Sequence, residues 1–156
     1  MSLGSVNSFT SSLNKAVPLI LAWLGISIIN SVKFWNIGAE GQIFFGAIAV
    51  NYIYINTQVT NSTMLIFVLL ISGFVGGAIC ILIPAITKVF FGVNEIITTL
   101  LTNYIAIGIT IYLINGPWKD PGSLNFPAAE YIGEEVYLPT IFGKLSFGFI
   151  VCITFT

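Results

Sequence analysis

Long apolar runs separated by short polar connections dominate the chain, and the runs have the lengths of membrane helices rather than of strands. Residues 16–32 (AVPLILAWLGISIINSV) form the first run, after a weakly patterned, Ser/Asn-rich opening over residues 1–14. Pro18 then falls in the first helical turn, where its missing N–H costs little. Residues 43–55 are apolar but short, so they reach membrane length only if their helix begins inside or just after the heptapeptide that precedes them. A polar turn over residues 56–63 (NTQVTNST) leads to the uncharged residues 64–86, the clearest span. After a short connection over residues 87–95 (TKVFFGVNE), residues 96–115 give a fourth, and residues 141–156 begin a fifth apolar segment that stops short of a full span. The pattern predicts an all-α fold, a polytopic transmembrane helix bundle of about five hydrophobic segments.

The texture changes over residues 116–140 (GPWKDPGSLNFPAAEYIGEEVYLPT), which hold four of the 6 prolines and four of the 6 acids. This stretch reads as an irregular extramembrane loop within a single membrane domain covering residues 1–156. Composition agrees: 56% of residues are hydrophobic and 7% charged, at a mean hydropathy of +0.99, against roughly a quarter charged in a soluble domain.

Charge and residue types exclude several functions. With 5 lysines, no arginine and a net charge of -1, there is no basic face to neutralise nucleic-acid phosphates, so nucleic acid is excluded as a partner. The chain has no histidine, and Cys80 and Cys152 sit singly in apolar runs, which gives them packing roles and leaves no metal site or cofactor in view. The only Gly-Lys pair, Gly143-Lys144, is followed by Leu145 and lacks the upstream glycine of a phosphate loop, so ATP is not used by that route in this chain. The first apolar run begins after Lys15 and lacks a small-residue cleavage site, so it should remain in the mature protein. Lys33 and Lys88 lie in connections that fall on one side if residues 43–55 cross. The loop, with Lys119 against Asp120, Glu130, Glu134 and Glu135, falls on the other. This places the two lysines in the cytoplasm and the loop outside, with Lys15 as the one dissenting charge.

Residues 36–42 (NIGAEGQ) put a carboxylate and two glycines between strongly apolar stretches. In a bilayer, broken backbone is tolerated only where protein buries it or water reaches it, and an ionisable side chain at that depth lines a path or holds helices together. Glu40, between Gly38 and Gly41, therefore borders a pathway or organises a helix junction. In the fourth span Glu95, Thr98, Thr99, Thr102, Asn103, Ala106 and Thr110 recur on one helical face, which must turn toward protein or water. Interhelical hydrogen bonding, at about 0.6 kcal/mol per contact, and lining of a pathway are both open for that stripe. Glu95, at the helix start, is also placed to cap free N–H groups and meet the helix dipole. The pathway candidates are thus Asn36, Glu40, Gln42, Glu95, Thr98, Thr99, Thr102 and Asn103. Gly38, Gly41, Gly73, Gly76 and Gly77 are helix-packing candidates, Gly73 and Gly77 forming a GxxxG pair. An enzyme is not indicated: Glu40 and Glu95 come with no nucleophile or histidine, and a calcium site would need clustered oxygen ligands.

Two segments taken together, FWNIGAEGQIFFGA (residues 34–47) and FGVNEIITTLLTNYIA (residues 91–106), resemble the permease subunits of bacterial ATP-binding-cassette importers in the branched-chain amino acid, ribose and nucleoside superfamily. Their separation, with GPWKDPG and the later LPT, looks most like the subgroup for nucleosides and simple sugars, which works with a purine-nucleoside-binding lipoprotein. The resemblance runs from about residue 16 onward. It implies a multi-pass pore subunit of the inner cell membrane that pairs with a second permease, binds cytoplasmic ATP-binding subunits and receives solute from an external or periplasmic solute-binding lipoprotein. None of these partners is visible in composition or spacing, where the lipid bilayer alone is. Such permeases are longer, with more spans, so the chain is expected to be a fragment of a larger bundle, with Met1 an internal or misassigned start and the ATPase-docking segment elsewhere. The solute is left open between nucleoside, sugar and a relative such as a branched-chain amino acid. The competing readings are a membrane scaffold that only packs helices and an ion channel, for which a repeated filter or charge ring is lacking.

Overall fold

The structure is a computed structural model that describes residues 6–57, 59, 61–120, 122, 133, 140–142 and 145–146, with side chains over 11–13, 15–57, 59, 61–120, 122 and 133. Four helices carry the fold: α1 (Val6–Ser31), α2 (Ala39–Asn56), α3 (Ser62–Phe91) and α4 (Glu95–Asn115). Two short strands follow, β1 (Thr140–Phe142) and β2 (Leu145–Ser146). Among the described residues 3 helices are long and apolar enough to cross a membrane, over Ser11–Ser31, Ser62–Phe91 and Glu95–Asn115. The chain is a polytopic helical membrane protein. It divides into two compact units, one of Met1–Phe34 with Tyr137–Thr156 and one of Trp35–Val136.

In the first unit α1 begins at Val6, so part of the Ser/Asn-rich opening is helical and Pro18 lies inside the helix rather than in its first turn. A proline there removes one i→i−4 hydrogen bond, and the aliphatic residues on its C-terminal side continue the helix past it. β1 and β2 pair antiparallel, Thr140 opposite Ser146 and Phe142 opposite Leu145, with an irregular register, and β2 also packs on α1. The described start of the fifth apolar segment is therefore a short strand pairing and not a helix, in keeping with the β-branched and aromatic residues Thr140, Ile141 and Phe142. Residues 147–156 lie outside the described residues.

The second unit holds the helix junction. α2 starts at Ala39, inside the heptapeptide, and so gains the length the apolar residues 43–55 lack alone. Its 18 residues reach about 27 Å, just under a hydrocarbon core of about 30 Å. It is not among the three span-capable helices, because Glu40, Gln42, Asn51 and Asn56 dilute its hydropathy. It packs most extensively on α3 and also on α4, while Ile43, Tyr52 and Ile55 stay exposed. α3 runs antiparallel to α2 across a small-residue contact: a Cβ at Gly46 would lie 3.1 Å from the Gly73 carbonyl oxygen, and one at Gly76 would lie 2.7 Å from both the Ala49 Cβ and the Phe45 carbonyl oxygen.

Caps fix the ends of α3 and α4. Asn61 accepts from the N–H groups of Thr63 and Met64 at 3.1 and 3.4 Å. At the other end Gly92, at φ 64, closes α3 with N–H bonds from Gly92 to Lys88 and from Val93 to Thr87. Asn94 then caps α4, its Oδ1 accepting from the Ile96 N–H at 2.9 Å. Two caps in so short a connection hold the α3–α4 corner in one geometry.

Candidate functional site: the seam between α2 and α4

The polar heptapeptide and the polar stripe meet each other. Asn36 turns the backbone into α2 by accepting the Gly38 N–H on Oδ1 at 2.9 Å, an Asx turn that replaces a conventional side-chain cap. The Ile37 N–H donates to Thr99 Oγ1 at 3.3 Å, and that hydroxyl donates onward to the Ile96 carbonyl at 3.2 Å. One residue later the chain backbone presses on α4: a Cβ at Gly38 would lie 2.6 Å from the Thr99 carbonyl oxygen. A turn further, a Cβ at Gly41 would lie 2.8 Å from both Cα and Oδ1 of Asn103, and 3.3 Å from the Ala106 Cβ. Glycines three apart on the α2 side thus meet a stripe stepping by four and three on α4, and two parallel helices come together at backbone distance.

The stripe is buried by this contact. Thr99 is 1% exposed, Thr102 6%, Asn103 7% and Ala106 0%. Its hydroxyls are satisfied on their own helix: Thr98 donates to the Asn94 and Glu95 carbonyls at 3.3 Å, Thr102 to Thr98 at 2.8 Å and Thr110 to Ala106 at 2.8 Å. Among the described residues, two buried polar atoms on the seam have no hydrogen-bond partner, the Asn36 Nδ2 and the Asn103 Oδ1. Each such atom costs on the order of 1–3 kcal/mol when left unmet. Glu40 is exposed and Gln42 half-buried, so the carboxylate of the heptapeptide stands outside the seam that its neighbouring glycines form.

Glu95 is a junction whose carboxylate also accepts from its own backbone N–H at the start of α4. Its Oε1 pairs with Lys88 Nζ at 2.7 Å, the two side chains being 14% and 35% exposed, and the Trp35 backbone also bonds its carboxylate. One side chain therefore ties the end of α3, the start of α4 and the residues leading into α2. Asn94 takes the capping role, because its shorter side chain reaches the Ile96 N–H from the extended residue ahead of the helix. Sequence reasoning missed this pair, although Lys88 and Glu95 flank a glycine that could have signalled the tight corner. It also missed Gly46, whose neighbour Gly73 is fixed only by the α2–α3 register, whereas a Cβ at Gly77 would make only ordinary contact, 3.4 Å from the Gln42 carbonyl oxygen.

Further along α4 a cavity of about 430 Å³ is lined by Phe44, Ile107, Thr110, Ile111, Ile114 and Asn115. The Asn115 amide and the Thr110 hydroxyl donate to carbonyls of their own helix, so this cavity offers an apolar surface. At the far end of α2 the Tyr54 hydroxyl accepts the Gly133 N–H at 2.9 Å and holds that point of the 116–140 loop to the unit. No group of three or more potential metal ligands occurs among the described residues.

Relatives of known type share this sequence. It is 35% identical over 146 residues to the glucose ABC transporter permease protein TsgB13 of Haloferax volcanii, an alignment that covers 94% of this chain and 38% of the relative. It is 32% identical over 117 residues to the nucleoside ABC transporter permease protein NupB of Lactococcus lactis, covering 75% of this chain and 32% of that protein. Against the guanosine ABC transporter permease protein NupP of Bacillus subtilis it is 28% identical over 161 residues, covering 96% and 44%. The chain thus spans less than half the length of each. No solved structure matches. These relatives are transport permeases, and residues 8–156 match the family described as branched-chain amino acid transport system / permease component, so the chain belongs to that permease family.

Proposed function

We propose that the permease carrying this segment is a pore subunit of an ATP-binding-cassette importer that moves a nucleoside or a simple sugar across the cell membrane. The observation that carries the reading is similarity, over nearly the whole chain, to permeases named for glucose and guanosine. Energy comes from separate cytoplasmic ATP-binding subunits, a second permease completes the pore, and an external solute-binding lipoprotein delivers the solute. The chain acts as one membrane domain within that bundle and catalyses no reaction of its own.

Within it, the α2–α4 seam is the joint that sets the wall of the pathway. Thr99 and Thr102 hold the joint, as their burial and satisfied hydroxyls support. Glu40 and Gln42 meet the aqueous side, which the exposure of Glu40 supports. Asn36 and Asn103 lie between the two, and Glu95 with Lys88 braces the end of the joint. The test is uptake at low external solute by cells deleted for the gene. Loss of nucleoside or sugar uptake, restored by the intact permease gene, is the expected result; unchanged uptake of all of these solutes contradicts the assignment.

A further inference from the structure

The Asn36 and Asn103 side chains pose a physical problem that the packing of the seam does not solve. Each residue is only 7% exposed. Asn36 uses Oδ1 on the Gly38 N–H, which fixes its Nδ2 as a donor, and among the described residues that donor meets no acceptor and Asn103 Oδ1 meets no donor. They lie along one seam, since the residue after Asn36 bonds Thr99 and Asn103 is one α4 turn beyond Thr99. The other polar groups there do not relieve them: the Thr99 and Thr102 hydroxyls donate to carbonyls of their own helix. Gly38 and Gly41 bring backbone against α4 and supply no side chain that could pair with either amide.

An unmet donor and an unmet acceptor on one seam are complementary to a group that accepts and donates at once. A hydroxyl does both, as does water, and neither adds a charge to the seam. An anion would suit the donor and leave Asn103 Oδ1 repelled; an ammonium would do the reverse. We infer that the α2–α4 seam is a binding site for hydroxyl oxygen, with Asn36 Nδ2 donating to it and Asn103 Oδ1 accepting from it. Two sources offer that chemistry, internal water and the hydroxyls of a sugar or ribose. The second source rests on the permease function proposed above; the first does not.

The test uses the complete permease complex in lipid nanodiscs. A high-resolution cryo-electron microscopy map should show density within hydrogen-bond distance of the Asn36 and Asn103 amides. The thermal unfolding midpoint is then followed with and without glucose or inosine. Asn103→Leu removes the acceptor at similar size, and Asn36→Ser keeps an uncharged oxygen that can accept the Gly38 N–H but loses the amide donor. If water occupies the site, both variants lower the solute-free midpoint by roughly 2–4 °C. If solute occupies it, they leave that midpoint in place and abolish the shift that solute causes. Amides that are dry in the map, or partnered by another protein group, overturn the inference, as do variants at least as stable as the parent with the solute shift intact. A complex that imports solute yet shows dry amides defeats this inference alone, whereas hydrated amides in a complex that imports nothing defeat the transport reading instead.

Discussion

Gly41 leaves no room for a side chain: a methyl group there would meet the Asn103 Cα at 2.8 Å, and that atom cannot swing away as the end of a long side chain could. A methyl group at Gly38 would meet the Thr99 carbonyl oxygen at 2.6 Å, again backbone. Gly41→Ala and Gly38→Ala should each destabilise the permease by about 1–3 kcal/mol through overpacking. The check is the yield and unfolding midpoint of the detergent-extracted complex. Gly25→Ala and Gly108→Ala, where nothing lies within 4 Å, should leave both readings unchanged, and a similar loss at all four positions would show that the seam is not the reason. Gly92, at φ 64, tests a different property. Alanine there should cost about 1–2 kcal/mol through the left-handed backbone, with asparagine better tolerated.

At the scale of the helix, α4 shows what a sequence can and cannot say. Recurrence of Thr99, Thr102, Asn103 and Ala106 at threes and fours was enough to define one face, and that face is the buried one. Whether it met a pathway or another helix was not legible, because threonine hydroxyls bonded to their own helix satisfy either environment equally. The lead-in glycines could be read beside Glu40, but Glu40 itself stands exposed while Gly38 and Gly41 are buried, a separation that depends on where α2 begins. The start of α1 was obscured for a similar reason: serine and asparagine read as loop residues locally, yet the helix extends back through them and encloses Pro18. The α3–α4 corner gives two tests at this scale. Asn94→Ala should weaken the start of α4 by about 1 kcal/mol through loss of its cap, seen as faster amide exchange over the first turn. Lys88→Glu and Glu95→Lys should each reduce assembled complex, and the double swap should recover part of it; two independent losses would mean that the 2.7 Å pair contributes no coupling.

For the whole molecule, α4 carries the chain from the Lys88–Glu95 corner to the start of the 116–140 loop, so the two ends of that helix belong on opposite sides of the membrane if it spans. We propose that the loop lies outside and the corner in the cytoplasm. A cysteine replacing the exposed Lys119 should react with an impermeant thiol reagent on intact cells, and one replacing Val93 only after the membrane is opened, with the parent chain as the blank. The opposite pattern would invert the topology and remove the loop as a landing point for a solute-binding protein.

The most direct test of the central claim is reconstitution of the complete permease carrying this segment, with the second permease, ATP-binding subunits and solute-binding protein proposed for it, in sealed proteoliposomes supplied with labelled solute. ATP on the side of the ATP-binding subunits should drive glucose or nucleoside into the vesicle lumen or out of it against its gradient, in the direction set by orientation, and omission of ATP or of the binding protein should stop it. Solute that merely equilibrates, at a rate indifferent to ATP, would contradict the account.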